Sequence, residues 1–349
     1  MMKRKYEPDF NQLLKVLHRE KPDRPVLFEY FTNRALNEFL AGRKSADSTD
    51  LTGFRNLSGL SDETIAITIE AFTNAGYDYV TLPARFYTPL KFSTAIPTHK
   101  STVSQNEGSG IIDRASFESY PWPDPEIGDY DTFNRFVPLL SKGMKFITPG
   151  PGGVLENVID LVGFERLCYM LFEDEQLVKD IFDAVGSRML RFYEIVSGIE
   201  SIGALIVNDD WGFKTQTMLD PGSMHQYLFP YKKIVEAIHR CGKPAILHSC
   251  GNLETIMDFL IDDLKYDAKH SWEDSICPVE EGWKKWGDRI AILGGIDMDY
   301  LVRSTPDEIH RRAVEILRLT RSKGYALGSG NSIPAYVPVE NYLAMITAI

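Results

Sequence analysis

Short apolar runs alternate along the chain with longer stretches in which apolar residues recur at helical spacing. Eight runs stand out: PVLFEY from Pro25, YVTLPA from Tyr79, KFITPG from Lys145, ALIVNDD from Ala204, PAILHSCG from Pro244, YDAKHSWE from Tyr266, IAILGGID from Ile290 and YALGSGN from Tyr325. Most end in Gly, Asp, Asn or Pro, the residues that favour turns. The runs therefore read as strands. Between them, Ser61 to Ala75 carries a helical period and stops before Gly76. Thr305-Pro306-Asp307-Glu308 reads as a capping box with proline at the first helical position, and Gly324 as the end of that helix. Strand alternating with helix implies a parallel sheet. Eight repeats of the pair imply an α/β fold closed as a (β/α)8 TIM barrel. An open doubly wound sheet is the alternative. The first run, however, is followed by FTNRAL and lacks the glycine fingerprint of dinucleotide-binding folds.

The rhythm breaks once. Arg85 to Met144 contains STAIPTHKSTVSQNEGSG and SYPWPDPEIGDYD. We read a long insertion after the second strand, about residues 86–144, as a β-hairpin and a Pro-rich return over the barrel mouth; surface decoration is the other reading. The chain then forms one domain, residues 1–349.

Composition narrows the function. Lys and Arg number 38 against 49 Asp and Glu, a formal net charge of −11, and no long basic run offers a nucleic-acid footprint. No apolar run has membrane-spanning length, and no apolar segment follows the basic start MMKRKYEPDF as a secretory signal would require. Four scattered cysteines are too few for a disulfide scaffold. A cytoplasmic location is the expectation.

Barrel enzymes carry their chemistry at the C-terminal ends of the strands. The first strand offers Glu29 and then Arg34, the second Arg85 and Tyr87, the fourth Asp209, Asp210 and Trp211. The fifth offers His248 and Cys250, the sixth His270 and Glu273, the seventh Asp297, and the eighth Ser329, Asn331 and Ser332. Ser329, Ser332 and Asn208 are also ordinary turn residues. We expect Asp209, Asp210, His270 and Asn331 to act in catalysis. We expect Glu29, Arg34, Arg85, Tyr87, Trp211 and Asp297 to face substrate. His248 and Cys250 stand two apart on one strand, so their side chains share a face. An imidazole and a thiol are two preferred zinc ligands. The third could come from Asp209, Asp210, His270, Glu273 or Asn331; Glu273 is taken with His248 and Cys250 as the metal set.

From roughly Pro25 onward the chain resembles the uroporphyrinogen decarboxylase superfamily. DPGSMHQYLFPYKKIVEAIHRCGKPAILHSCGN, the GGID turn and ALGSGNSIPAYVPVENYLAMI carry the resemblance. Two branches differ in what they imply. The decarboxylase itself uses an arginine-rich loop after the first strand; FEYFTNRAL keeps only Arg34. The corrinoid-linked methyltransferases use zinc held by an H-x-C on strand five, matched by His248 and Cys250, and by a cysteine near strand eight. That last position falls on Asn331, a departure from the pattern. The resemblance implies a zinc-assisted transfer of a methyl group between a small methylated compound and a corrinoid protein; a homodimer is also expected. A decarboxylase or lyase without metal is the alternative, and a binding protein that has lost a ligand is a third.

Overall fold

The computed structural model describes residues 6–46, 61–92, 110–321 and 323–349. Seven parallel strands form one sheet in chain order: β1 (Tyr79–Thr81), β2 (Lys145–Pro149), β3 (Ile202–Asn208), β4 (Ala245–His248), β5 (Ala268–His270), β6 (Ala291–Leu293) and β7 (Tyr325–Ala326). Helices connect them, so the alternation read from the sequence is the alternation of the fold. Strands β1, β4, β5 and β6 are buried along their whole length. A parallel strand covered on both faces leaves no side for water, which is why β6 and the body of β4 are apolar without alternation, and why the polar residues of β1, β4 and β5 are buried ones.

The first predicted strand is a finer matter. Residues after Pro25 do not form a ladder; they meet the last strand's continuation through single bridges, Leu27 with Leu327 and Thr32 with Ile333. Phe28 N–H donates to Leu327 O at 2.7 Å and Leu327 N–H to Val26 O at 2.8 Å. On its other side a side chain replaces the ladder. The buried Tyr79 hydroxyl accepts from Glu29 N–H at 2.6 Å and donates to Glu29 O at 2.9 Å. A phenol ring lying between two backbones holds them farther apart than the roughly 4.8 Å of a hydrogen-bonded pair. The barrel thus has seven laddered strands and one bridged wall segment.

Two helix ends behave as their residues dictate. Ser61 caps helix Asp62–Ala75 by accepting from Thr64 N–H, and Gly76 closes it at φ 92°. Thr305 and Glu308 form the capping box of helix Pro306–Thr320. That helix stops before Gly324, with Arg321 in the left-handed conformation at φ 51°.

Within the insertion, the hairpin expected from Ser93 lies outside the described residues. The Pro-rich return does not float free. Trp122 packs under Arg188, 4.8 Å from guanidinium carbon to ring centre, and Glu126 pairs with Arg191 at 2.5 Å. Both arginines stand on helix Glu175–Ser197. Among the described residues no helix is long and apolar enough to cross a membrane.

Candidate functional site

Strand register brings the chemistry together. Asn208 at the end of β3 pairs with His248 at the end of β4, and His248 pairs with His270 at the end of β5. The two chains leaving β3 and β4 stay joined past the sheet. Asp209 N–H donates to His248 O at 3.0 Å, Trp211 N–H to Ser249 Oγ at 3.2 Å, and Asn252 N–H to Phe213 O at 2.8 Å. Such an approach requires glycine. A Cβ on Gly251, at φ +83°, would stand 2.0 Å from Gly212 O. This contact sets Asp210 beside Cys250, whose N–H donates to Asp210 Oδ1 at 3.0 Å.

The result is one cluster, Asp210, His248 and Cys250, whose ligand atoms all lie within 4.8 Å of one another. Carboxylate oxygen, imidazole nitrogen and sulfur form a donor set suited to zinc. Burial, with the Asp210 charge beside it, pushes the Cys250 thiol up to about 12. Two donors address its sulfur: Asn331 Nδ2 at 3.3 Å and the Ser271 hydroxyl at 3.5 Å. Both would stabilise a thiolate once a bound cation draws the proton off.

The histidines fix each other's tautomer. Burial depresses both, His270 to about 3 and His248 well below its ordinary value, so both are neutral and carry one ring proton each. His270 Nε2 lies 3.2 Å from Ser329 O, and a carbonyl can only accept. The His270 proton is therefore on Nε2, and its Nδ1 is an acceptor. His248 Nδ1 lies 2.7 Å from that atom and must donate to it. The lone pair of His248 is left on Nε2, the nitrogen that can join Asp210 and Cys250 around a metal. Ligating histidines are commonly oriented through their other nitrogen in this manner. Tyr30 stacks on the His248 ring at 4.0 Å between centres and holds it from the other side.

Behind this relay lies Glu29, fully buried, its carboxyl pushed up to about 8 by burial. Ser329 N–H donates to Glu29 Oε1 at 2.8 Å. The Ser329 hydroxyl lies 2.7 Å from Glu29 Oε2 and 2.5 Å from Asn331 O. Its single hydrogen goes to the carbonyl, so Glu29 supplies the other proton and is a neutral acid. Glu29 supports the site through Ser329 and does not line the cavity described below.

Asp209 and Asp210, equivalent in the sequence, have different work. Asp209 is buried and accepts from Leu155 N–H and Glu156 N–H, each at 2.8 Å, and from the Tyr231 hydroxyl. It caps helix Val154–Val162 from another strand, because Gly153, the residue before that helix, has no side chain to do so. A Cβ on Gly153 would stand 1.9 Å from Asp209 Cγ. Burial raises Asp209 to about 6, while those donors favour its ionised form. Glu156 is raised well above the usual carboxylate range by burial and then by Asp209 and Asp210. With three donors on Asp209, the proton of this pair belongs to Glu156. Glu156 Oε2 accepts from Gly153 N–H at 3.0 Å, leaving Oε1 to carry it. The sequence reading missed Glu156; its only signal was a glutamate three residues past the PGPGG turn.

A cavity of about 1390 Å3 opens at these strand ends, lined among others by Arg85, Tyr87, Glu156, Asp210, His248, Cys250 and Asn331. Tyr87 is buried, with its hydroxyl 2.5 Å from Thr148 Oγ1. Several predicted residues lie elsewhere. Glu273, expected as a metal ligand, lines a separate pocket of about 30 Å3 with Lys269 and Cys277; Asp210 takes its place in the cluster. Arg34 is paired with Glu38 at 2.8 Å within its own helix. Trp211 is fully buried against Tyr231, 5.1 Å between ring centres. Asp297 caps helix Met298–Arg303 and accepts from Asp274 N–H at 2.8 Å. Short polar side chains at strand ends serve as helix caps as readily as they serve ligands, and spacing alone does not separate the two uses.

The family model for uroporphyrinogen decarboxylase (URO-D) matches residues 9–349. No curated protein matches the sequence. Among solved structures, a methyltransferase from Methanosarcina mazei superposes with a TM-score of 0.75 at 16% identity, over 98% of each chain. A protein proposed to be the vitamin-B12-independent methionine synthase of Listeria monocytogenes aligns at a TM-score of 0.48 and 12% identity, over 93% of this chain and 97% of that one. At these identities the likeness speaks to fold.

Proposed function

The chain belongs to the uroporphyrinogen decarboxylase family, and from that premise we propose that it is an enzyme moving a methyl group between a small methylated compound and a corrinoid carried by a partner protein, assisted by zinc. The observation that carries this reading is the cluster of Asp210, His248 and Cys250 with the His248 Nε2 lone pair directed by its neighbours. The methyltransferase description of the Methanosarcina mazei neighbour fits it. Asp210, His248 and Cys250 would hold the metal, and Asn331 would serve as a donor to the Cys250 sulfur instead of as a ligand. When bound, zinc supplies Lewis acidity at the heteroatom bearing the methyl group.

The chain's own groups do the rest. Glu156 holds a proton in the cavity beside Asp210 and can deliver it to the heteroatom that loses its methyl group. Tyr30 and His270 keep the His248 ring in one orientation. A metal-free decarboxylation of a polycarboxylate has less support, because Arg34 is committed to Glu38.

Metal analysis and a methyl-transfer assay test the two halves. Purified protein should carry about one zinc per chain by the coordination logic of such a donor set, lost in His248→Ala and Cys250→Ala and weakened in Asp210→Asn. Zinc that is absent, or indifferent to all three changes, would sink the metal. Methyl transfer is followed by the absorbance change of a reduced corrinoid protein supplied with methyl ethers, thioethers and amines; no change with any of them would sink the transfer.

A further inference from the structure

Among the described residues, Arg85 is the one cavity-lining cation that is largely withdrawn from water. It stands in the short helical turn Ala84–Phe86, just past β1. Its guanidinium carbon lies 5.9 Å from the centre of the Phe31 ring and 5.5 Å from that of Phe86. Among the described residues its Nε has no hydrogen-bond partner, and no carboxylate forms an ion pair with it. Burial accordingly shifts its equilibrium toward the neutral form, with only Tyr30 opposing. A guanidinium held away from water without a counter-ion is costly, and proteins keep such groups where a ligand completes them. The other cation on the cavity wall, Lys91, is exposed.

The place of Arg85 relative to the metal cluster says what kind of ligand this is. Tyr30 stacks on His248 and packs on Phe31, 4.6 Å between ring centres, and Phe31 lies against Arg85. The cavity wall carries the carboxyl groups of Glu156 and Asp210, whereas Arg85 offers a fork of donors that a carboxylate matches. The wall is also aromatic, with Phe31 and Phe86 against Arg85 and Tyr30 against His248.

We infer that Arg85 binds the carboxylate of a small methylated acid with a flat, apolar body, whose methyl-bearing heteroatom reaches the Asp210, His248 and Cys250 end of the cavity. The carboxylate site stands on Arg85 alone; the role of the far end rests on the methyl-transfer reading above. A carboxylate matches the planar fork of a guanidinium with two parallel hydrogen bonds, which a neutral amide cannot reproduce.

Calorimetric titration with 4-methoxybenzoate and its neutral isostere 4-methoxybenzamide tests this without a corrinoid or turnover. The wild type should bind the acid at least about ten-fold more tightly than the amide, the loss expected when one charge-assisted pair is removed. Arg85→Gln should erase that preference and Lys91→Gln should keep it. Equal binding of acid and amide by the wild type, no binding of the acid, or an unaltered preference in a folded Arg85→Gln protein would overturn the inference. If Arg85→Gln fails to fold, the wild-type preference and its persistence in Lys91→Gln decide the matter. Acid binding that depends on Arg85 with no methyl transfer would sink the methyltransferase reading alone. Methyl transfer from 4-methoxybenzoate with rate and KM unchanged in Arg85→Gln would sink the carboxylate site alone.

Discussion

Glu29→Gln should make the protein more stable at alkaline pH and leave it unchanged in acid. In the fold the carboxyl is pushed from its ordinary 4.5 up to about 8 by burial, and the residue is 0% exposed. Hydrogen bookkeeping agrees: the Ser329 hydroxyl gives its hydrogen to Asn331 O at 2.5 Å, so the 2.7 Å contact with Glu29 Oε2 needs a proton from Glu29. Between pH 4.5 and about 8 the folded chain keeps a proton that the unfolded chain has released. Stability from this group is complete below the lower value and falls as pH rises, by about 1.4 kcal/mol per pH unit. By pH 8 the accumulated loss is on the order of 4 kcal/mol. A glutamine keeps both contacts, accepting from Ser329 N–H and donating to Ser329 Oγ, and has no proton to lose. Urea unfolding followed by tryptophan fluorescence, at about pH 5 and about pH 8, should show near-coincident midpoints for wild type and variant in acid and a higher midpoint for the variant in base. Midpoints that shift in parallel with pH, or a variant less stable at both, would refute the neutral-acid assignment and the proton count behind it.

Other expectations follow from the same geometry. His270→Ala removes the acceptor that holds the His248 proton on Nδ1, and zinc affinity measured against a chelator should fall about 10- to 100-fold; undiminished affinity would show that His248 is oriented by Tyr30 alone. Gly251→Ala should destabilise the fold by about 3 kcal/mol, since a Cβ there would stand 2.0 Å from Gly212 O at a φ of +83°. A thermal melt that does not move would mean that the two loops part at little cost.

Much of the fold was legible in the chain because its signals are local. The apolar runs, the caps at Ser61 and Thr305 and the stop at Gly76 need only neighbouring residues to act. His248 and Cys250 share a face for the same reason, alternation along one strand. The first wall segment was legible as apolar but not as unladdered, because a side chain from β1, Tyr79, fills the gap, and that is a contact across 50 positions.

The roles of the carboxylates were beyond local reading. Asp209 and Asp210 are adjacent and chemically identical, yet one caps a helix by accepting from Leu155 N–H, 54 positions earlier, and the other joins a cysteine 40 positions later. Glu273 sits three residues past His270 but lines another pocket, and Glu156 reaches the cavity from a helix. Sequence alone determined the alternation of strand and helix and the sharing of one face by His248 and Cys250, at the strand end where the candidate cluster lies. Tertiary structure decided the third member of the cluster, the tautomers of two histidines and the burial of Arg85 without a carboxylate partner among the described residues. Those depend on which atoms meet across strands, and strand register together with one glycine-to-glycine contact sets that, with no trace in the spacing of any single segment.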